Sequence, residues 1–432
     1  MKKVLFGMLC LLVTEVAQAG VVIEHWTAPS GARVYFVASR ALPMLDVEID
    51  FAAGSAYEPG NKGELAGLAG LANELLEAGA AGLDEEQLAG RLVDTGARLS
   101  TAVDRDRASL RLRTLSARPE RDAALGLMHA MLATPSFPAE AVTRERARSI
   151  AAIQEEQTQP ESIVAERFTE AIYPGHPYGV EPTVESVGRI SRDDLLAFWR
   201  GHYGSRRAAV TIVGDVSRTE AEMIAARLTA GLPDAPPAAP LPAVSLPARQ
   251  TIRVPHPAAQ AHIDIGLPLI RRGDPDFFPL LVGNYVLGGG GFVSRLMKEV
   301  REKRGYAYSV YSRFSPRKVQ GPFLIGLQTK RSQTAEALKV VDATLARFLA
   351  QGPSETELTA AKRNLIDGQA LGLDSNAKLL ATVAVIGFYG LPLDYLDEFP
   401  RRIARVTAAE VRDAFTRHLK PEHLVTVIVG GD

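Results

Sequence analysis

Two residues in the C-terminal half have the types and spacing to hold a carbonyl oxygen. Arg301 and Tyr308 stand seven apart within Leu287 to Ser312, LGGGGFVSRLMKEVREKRGYAYSVYS. Both are hydrogen-bond donors, and donors carried on rigid elements and aimed at one acceptor stabilise the charge that develops on a carbonyl under attack. The sequence supplies such elements. Gly288 to Gly291 can sample backbone closed to other residues and run into an amphipathic segment in which Leu296, Met297 and Val300 share one helical face. Gly305, preceded by Lys303 and Arg304, is a helix C-cap, and Tyr306 to Tyr311 alternates aromatic and small residues like a strand. Arg301 is thus expected to leave a helix and Tyr308 to sit on a strand. The plainer alternative makes them a solvated helix arginine and a packed strand tyrosine.

Other hydrolytic chemistries find no support. The eight histidines, His25, His129, His176, His202, His256, His262, His418 and His423, include no H-x-x-E-H, H-E-x-x-H or H-x-x-x-H pair. The nearest, HLKPEH, is one residue too long and contains Pro421, so its two rings cannot line one helical face. No metal site is expected in this chain; scattered histidines are turn, cap and interior residues. There is no G-x-S-x-G, the four glycines lack the G-K-[ST] of a phosphate loop, and the single cysteine, Cys10, lies in an N-terminal leader.

That leader, residues 1–19, has Lys2 and Lys3, a short apolar run and Ala17-Gln18-Ala19, the pattern of a cleaved secretory signal; the apolar run is too short for a stable membrane anchor. Export with no mature cysteine implies an oxidising compartment and a fold without disulfides, and the bacterial look of the signal points to the periplasm. The chain is 46% hydrophobic and 23% charged with net charge −1, which gives no basic excess for nucleic acid.

An internal repeat organises the rest. RISRDDLLAFWRGHYGSRRAAVTIVGD (Arg189 to Asp215) matches RVTAAEVRDAFTRHLKPEHLVTVIVGG (Arg405 to Gly431) without a gap, Arg189 falling on Arg405 and Val213 on Val429, a constant offset of 216. Each copy has an N-cap (Ser191, Thr407), an amphipathic helix with a histidine at its end, and a β-branched strand. Between the copies, the prolines of Leu232 to Ala248 forbid regular structure and favour an extended connector. The expected domains are 20–231 and 249–432, joined by 232–248. In the first, strands are expected at Ala32 to Val37, Met44 to Ala52, Ala97 to Val103 and Ala108 to Thr114, with helices at Leu65 to Gly79 and from Asp84 to Asp94. Ala261 to Leu267 and Phe277 to Leu287 are the counterparts of the Met44 strand and the helix after it. This order predicts an α+β fold in two homologous halves, each a mainly antiparallel sheet with helices on one face.

With its R-x6-Y run, its repeat and its HPYG turn (His176 to Gly179), the mature chain resembles the pitrilysin/insulinase zinc peptidases, including the bacterial and mitochondrial processing peptidases. The resemblance implies a clamshell of two halves and assigns Arg301 and Tyr308 to hold the substrate carbonyl. Active members carry G-L-A-H-x-x-E-H where this chain has GLAGLANELL (Gly67 to Leu76). Gly70 and Glu74 then replace the two histidine ligands, Asn73 the glutamate base, and Ala152 the third ligand. The resemblance therefore implies a member without its own metal, paired as a heterodimer with a homologous subunit that binds zinc and cleaves extended peptides. It places peptide along the edge strand Leu99, Ser100, Thr101 and Ala102, where the family has Asn-Ala in place of Ser100-Thr101. The alternative is a catalytically inert peptide-binding or scaffold protein of the envelope; a third reading is an independent metallopeptidase with an unrecognised site.

Overall fold

The computed structural model describes residues 21–60 and 63–430; the expected leader and Cys10 lie outside them. In the first half the strands are β1 (Glu24–Thr27), β2 (Arg33–Ala38), β3 (Met44–Phe51), the two-residue ribbon β4 (Gly79–Ala80) and β5 (Leu83–Asp84), β6 (Arg98–Val103), β7 (Ala108–Leu115) and β8 (Ala208–Gly214). The second half has β9 (Gln250–Val254), β10 (Gln260–Ile270), β11 (Ala307–Phe314), β12 (Gly321–Lys330) and β13 (Val425–Val429). The first sheet is ordered β1-β2-β8-β3-β7-β6 and the second β11-β12-β10-β13-β9. Read from its other end, the second reproduces β2-β8-β3-β7-β6. Even the single parallel pairing recurs, β2 with β8 and β9 with β13. Ser191 and Thr407 each close a capping box, with Asp194 and Glu410, at equivalent helix starts.

Each sheet buries one face under helices of its own half, as the periodicity predicts. The opposite face is covered by a helix from the other half. Helix Asn376–Tyr389 lays Leu380, Val383 and Ile386 on Tyr35, Val37, Ala209 and Val213 of the first sheet. Helix Pro160–Ile172 lays Val164, Phe168 and Ile172 on Val425, Val427 and Val429 of the second. Pro160 and Asn376 are themselves 216 apart. This exchange is why β8 and β13 are apolar on both faces. Each buried aliphatic contributes about 1.5 to 3 kcal/mol, so pulling the halves apart exposes much of what stabilises either one.

The proline-rich segment has no helix or strand over 232–249, and it is fastened down along its length. Arg207 Nε donates to the Pro236 carbonyl (2.7 Å), His176 Nε2 meets that of Pro242 (3.1 Å) and His423 Nδ1 that of Pro247 (2.7 Å). The segment is a strap across both halves. A second joint forms where the β6–β7 turn meets the β11–β12 turn. There the buried Asp106 carboxylate accepts from Tyr178, from Tyr389 Oη at 2.7 Å and from the Lys318 backbone N–H at 2.8 Å. Burial, reinforced by the Asp106 charge, pushes both tyrosine hydroxyls far above their ordinary range.

Candidate functional site

The helix expected over Leu65 to Gly79 is shorter, Leu68–Glu74, followed by a 3₁₀ turn at Leu75–Ala78. It cannot start sooner because Gly67 has φ +98°, the left-handed region. Glu58 fixes that start: its carboxylate accepts from the backbone N–H groups of Gly67 (3.1 Å) and Ala69 (2.8 Å). Burial pushes Glu58 up to about 7, against the pull of those bonds and of Arg105.

Three of the positions expected of a metal motif lie on this helix and the fourth, Ala152, on helix Ala139–Glu156, and together they offer a single carboxylate. Gly70 has no side chain, and a Cβ added there would meet nothing within 4 Å. Asn73 is 1% exposed and has every polar atom occupied: Nδ2 donates to the carbonyls of Ala102 (3.0 Å) and Ser109 (3.1 Å), and Oδ1 accepts from Tyr203 Oη (3.0 Å). An amide so held is neither basic nor able to reach a water. Glu74 points outward, with Arg148 at 3.8 Å, and Arg148 is also 3.5 Å from Glu145. Ala152, one turn beyond Arg148 on helix Ala139–Glu156, is exposed. A zinc site needs at least three ligands, and these residues offer one oxygen beside a guanidinium. The residues do not fit the metal. Among the described residues one other group, Asp274, Asp276 and His418, brings ligand atoms within 4.8 Å of one another. Asp276 there is already held by Arg417 (2.8 and 3.1 Å) and by His418 (2.8 Å), and the arginine charge opposes a cation.

In the second half Arg301 and Tyr308 come together. Gly288 brings the loop against β11 so closely that a Cβ would lie 2.4 Å from the Ser312 nitrogen. The segment carrying Arg301 is a π-turn, Met297–Glu302, in place of the expected α-helix. It ends at Gly305 (φ +65°), where Gly305 N–H bonds the Arg301 carbonyl at 2.8 Å and Tyr306 N–H that of Val300 at 3.0 Å. Tyr308 lies on β11 where the register with β12 slips between Ala307 and Val310, a bulge that re-aims the side chain. It is 80% exposed. The Arg301 guanidinium sits between two rings, 4.6 Å from the centre of Tyr308 and 4.8 Å from that of Phe292.

Leu99 to Ala102 lie on β6, the edge of the first sheet. Leu99 and Thr101 pair with Leu112 and Leu110 on the core side; Ser100 and Ala102 pair with Arg111 and Ser109 on the other. β6 and β11 hold the same edge place in their sheets, and both run toward the Asp106–Lys318 joint. Sequence reasoning missed Glu58, Phe292 and the bond from Tyr203 to Asn73. None stands at a spacing that ties it to its partner, and only the fold brings them close.

Residues 37–182 match the insulinase family (peptidase family M16), and residues 189–365 match the peptidase M16 inactive domain. A non-peptidase homolog, YmxG of Helicobacter pylori, is 26% identical over 436 residues, covering 99% of this chain and 98% of that protein. An uncharacterized zinc protease of Streptomyces coelicolor is 29% identical over 293 residues, 65% of this chain and 63% of its own length. Among solved structures, a peptidase M16 inactive domain from Pseudomonas fluorescens superposes with TM-score 0.90 at 35% identity, covering 95% of this chain and 98% of that one. The periplasmic protease PqqL of Escherichia coli shares the fold, with TM-score 0.78 at 18% identity over 99% of this chain and 48% of that one.

Proposed function

Because this chain belongs to the insulinase peptidase family M16, and is of its inactive type, we propose that it is the subunit of a periplasmic heterodimeric peptidase that binds no zinc itself. It supplies Arg301 and Tyr308 to hold the substrate carbonyl for a homologous, zinc-bearing partner that cleaves extended peptides. One observation supports this reading: Asn73 is a buried, fully bonded amide, while the half-buried Arg301 and the exposed Tyr308 stand side by side. Donors and metal need only meet at one point, so two chains can share the work. The residues that grip peptide include the β6 edge, Leu99 to Ala102, where an extended segment adds as a further strand. The signal-like leader and the likeness to PqqL support the periplasm.

The test mixes this protein with a zinc-bearing homologue and measures turnover and subunit affinity separately. Arg301→Ala and Tyr308→Phe each remove a donor that acts most strongly on the transition state, so turnover should fall about 100- to 1000-fold while assembly stays unchanged. Turnover preserved within about threefold, far inside that range, would replace this reading with that of an inert peptide-binding or scaffold protein, which the name of the Helicobacter relative favours.

A further inference from the structure

The two sheets repeat each other, and one difference between them leaves a carboxylate without the partner its counterpart has. On the first sheet β3 carries Asp46, Glu48 and Asp50, and β7 and the turn before it answer with arginines: on β7 Arg113 lies 2.8 Å from Asp46 and Arg111 2.5 Å from Glu48, and in the turn Arg107 lies 3.2 Å from Asp50. The counterpart of Glu48, at the offset of 216, is Asp264 on β10. Where Glu48 faces Arg111 across the strands, Asp264 faces Gly326. The flanking acids are gone too, replaced by His262 and Gly266. The ring of Tyr311 lies over Gly326, so close that a Cβ there would fall 2.7 Å from it.

Asp264 is 8% exposed, and among the described residues its side chain has no hydrogen bond and no ion pair within 4.0 Å. Burial pushes it up to about 6, and Arg313 pulls the other way from a distance. The carboxylate borders two adjoining cavities of about 270 and 200 Å³ between helix Pro160–Ile172 and β11. Glu161, His262, Tyr311 and Gln328 line the larger, Arg317 lines the smaller, and Arg313 borders both. A desolvated carboxylate is costly unless a counter-charge reaches it. Arg313, Arg317 and His262 also border these cavities, yet none of them reaches the Asp264 carboxylate within 4.0 Å.

We propose that Asp264 is the acceptor of a cation subsite that takes the ammonium or guanidinium group of an extended peptide lying against β11, three residues along that strand from the Tyr308 end. The inference rests on the peptide-binding reading above, and it makes Asp264 a determinant of specificity.

The probes are three ten-residue peptides with a fluorophore at the C-terminus, bound to the full mature chain and read by anisotropy. The first has one central lysine and an acetylated N-terminus, the second norleucine in its place, and the third norleucine with a free N-terminus. The expected result is at least tenfold tighter binding of the first or the third than of the second, the preferred one showing whether side chain or terminus supplies the cation. Asp264→Asn, which keeps the shape and removes the charge, should abolish that preference and leave the norleucine peptide and the melting temperature unaffected or improved. Equal affinity for all three peptides in the native protein overturns the subsite and leaves peptide binding standing. A preference that survives Asp264→Asn overturns it as well, and failure to bind any of the three overturns the peptide-binding reading together with it.

Discussion

Helix Leu68–Glu74 and the segment from Phe277 to Glu302 occupy equivalent places in the two halves, and one is closed where the other is open. Both share a staple. Asn73 Nδ2 donates to the Ala102 carbonyl of edge strand β6 at 3.0 Å, and Asn284 Nδ2 to the Ser312 carbonyl of edge strand β11 at 3.2 Å. The first half has turned the staple inward, closed with a third bond from Tyr203 and no ionisable group at the base position. The second half has the staple beneath a π-turn and a bulge that present Arg301 and Tyr308 to solvent. The carbonyls of Ala102 and Ser109 and the Tyr203 hydroxyl need partners in this core, and an unsatisfied polar group there costs about 1 to 3 kcal/mol. Asn73 meets that need as a packing residue.

The largest expected effect comes from supplying metal ligands. Gly70→His, Glu74→His and Ala152→Glu together should let the chain retain one equivalent of zinc after dialysis, because Gly70 has open space around a Cβ and Glu74 and Ala152 are exposed. Peptide hydrolysis should remain absent while Asn73 stands, since no carboxylate then polarises a bound water. Metal analysis and a peptide assay check the two halves of this expectation. Failure to retain zinc would mean that Ala152 does not face the motif helix, and hydrolysis with Asn73 in place would remove the base from the comparison.

Much of this architecture was legible in the sequence, for identifiable reasons. The gapless repeat carried the two-half plan because capping boxes and β-branched strands leave local signatures at Ser191, Thr407, β8 and β13. Gly305 announced the end of the segment bearing Arg301, because a left-handed C-cap has few residues to choose from. The crossing of helices Pro160–Ile172 and Asn376–Tyr389 was hidden, because periodicity gives a helix an apolar face without saying whose sheet it covers. MLDVEIDF alternates apolar and acidic residues, and the sequence does not show that Asp46, Glu48 and Asp50 are buried, their charges met by arginines far along the chain. The π-turn at Met297–Glu302 was hidden for a different reason: its spacing differs from an α-helix by one residue per turn, too little to show in one turn.

A smaller effect separates the two helix starts by pH. Glu58 binds its proton more tightly in the folded chain than in the unfolded one, at about 7 against 4.5. Its contribution is fully present below the lower value and is lost as pH rises through the higher. A tenfold change in proton affinity is worth about 1.4 kcal/mol, so helix Leu68–Glu74 should loosen by roughly 2 kcal/mol between pH 5.5 and 7.5. Asp50, also raised to about 7, chiefly by burial, adds a slope of the same sign from β3. Helix Phe277–Asn284 starts at Asp276 without a side-chain cap, so Glu58→Gln should flatten the pH dependence of amide exchange in the first helix alone. An equal change in both helices would show that the variant acts on the whole fold.

The finest distinction lies in the staples themselves. Asn73 makes three side-chain bonds and Asn284 two, the second of these accepted from Ser312 Oγ at 2.8 Å. At about 1 kcal/mol for each bond, Asn73→Ala should cost about 3 kcal/mol and Asn284→Ala about 2 on the same scale. The extra bond is the donation to the Ser109 carbonyl, while Tyr203, whose ring is fully buried, gives its hydroxyl to Asn73 as Ser312 gives its own to Asn284. Tyr203→Phe should therefore cost about 1 kcal/mol in the native background and close to nothing once Asn73 is alanine, a coupling that a double-mutant cycle in denaturant measures directly. If the two single costs simply add, the bond from Tyr203 contributes nothing, and the first staple rests on its two donated bonds alone.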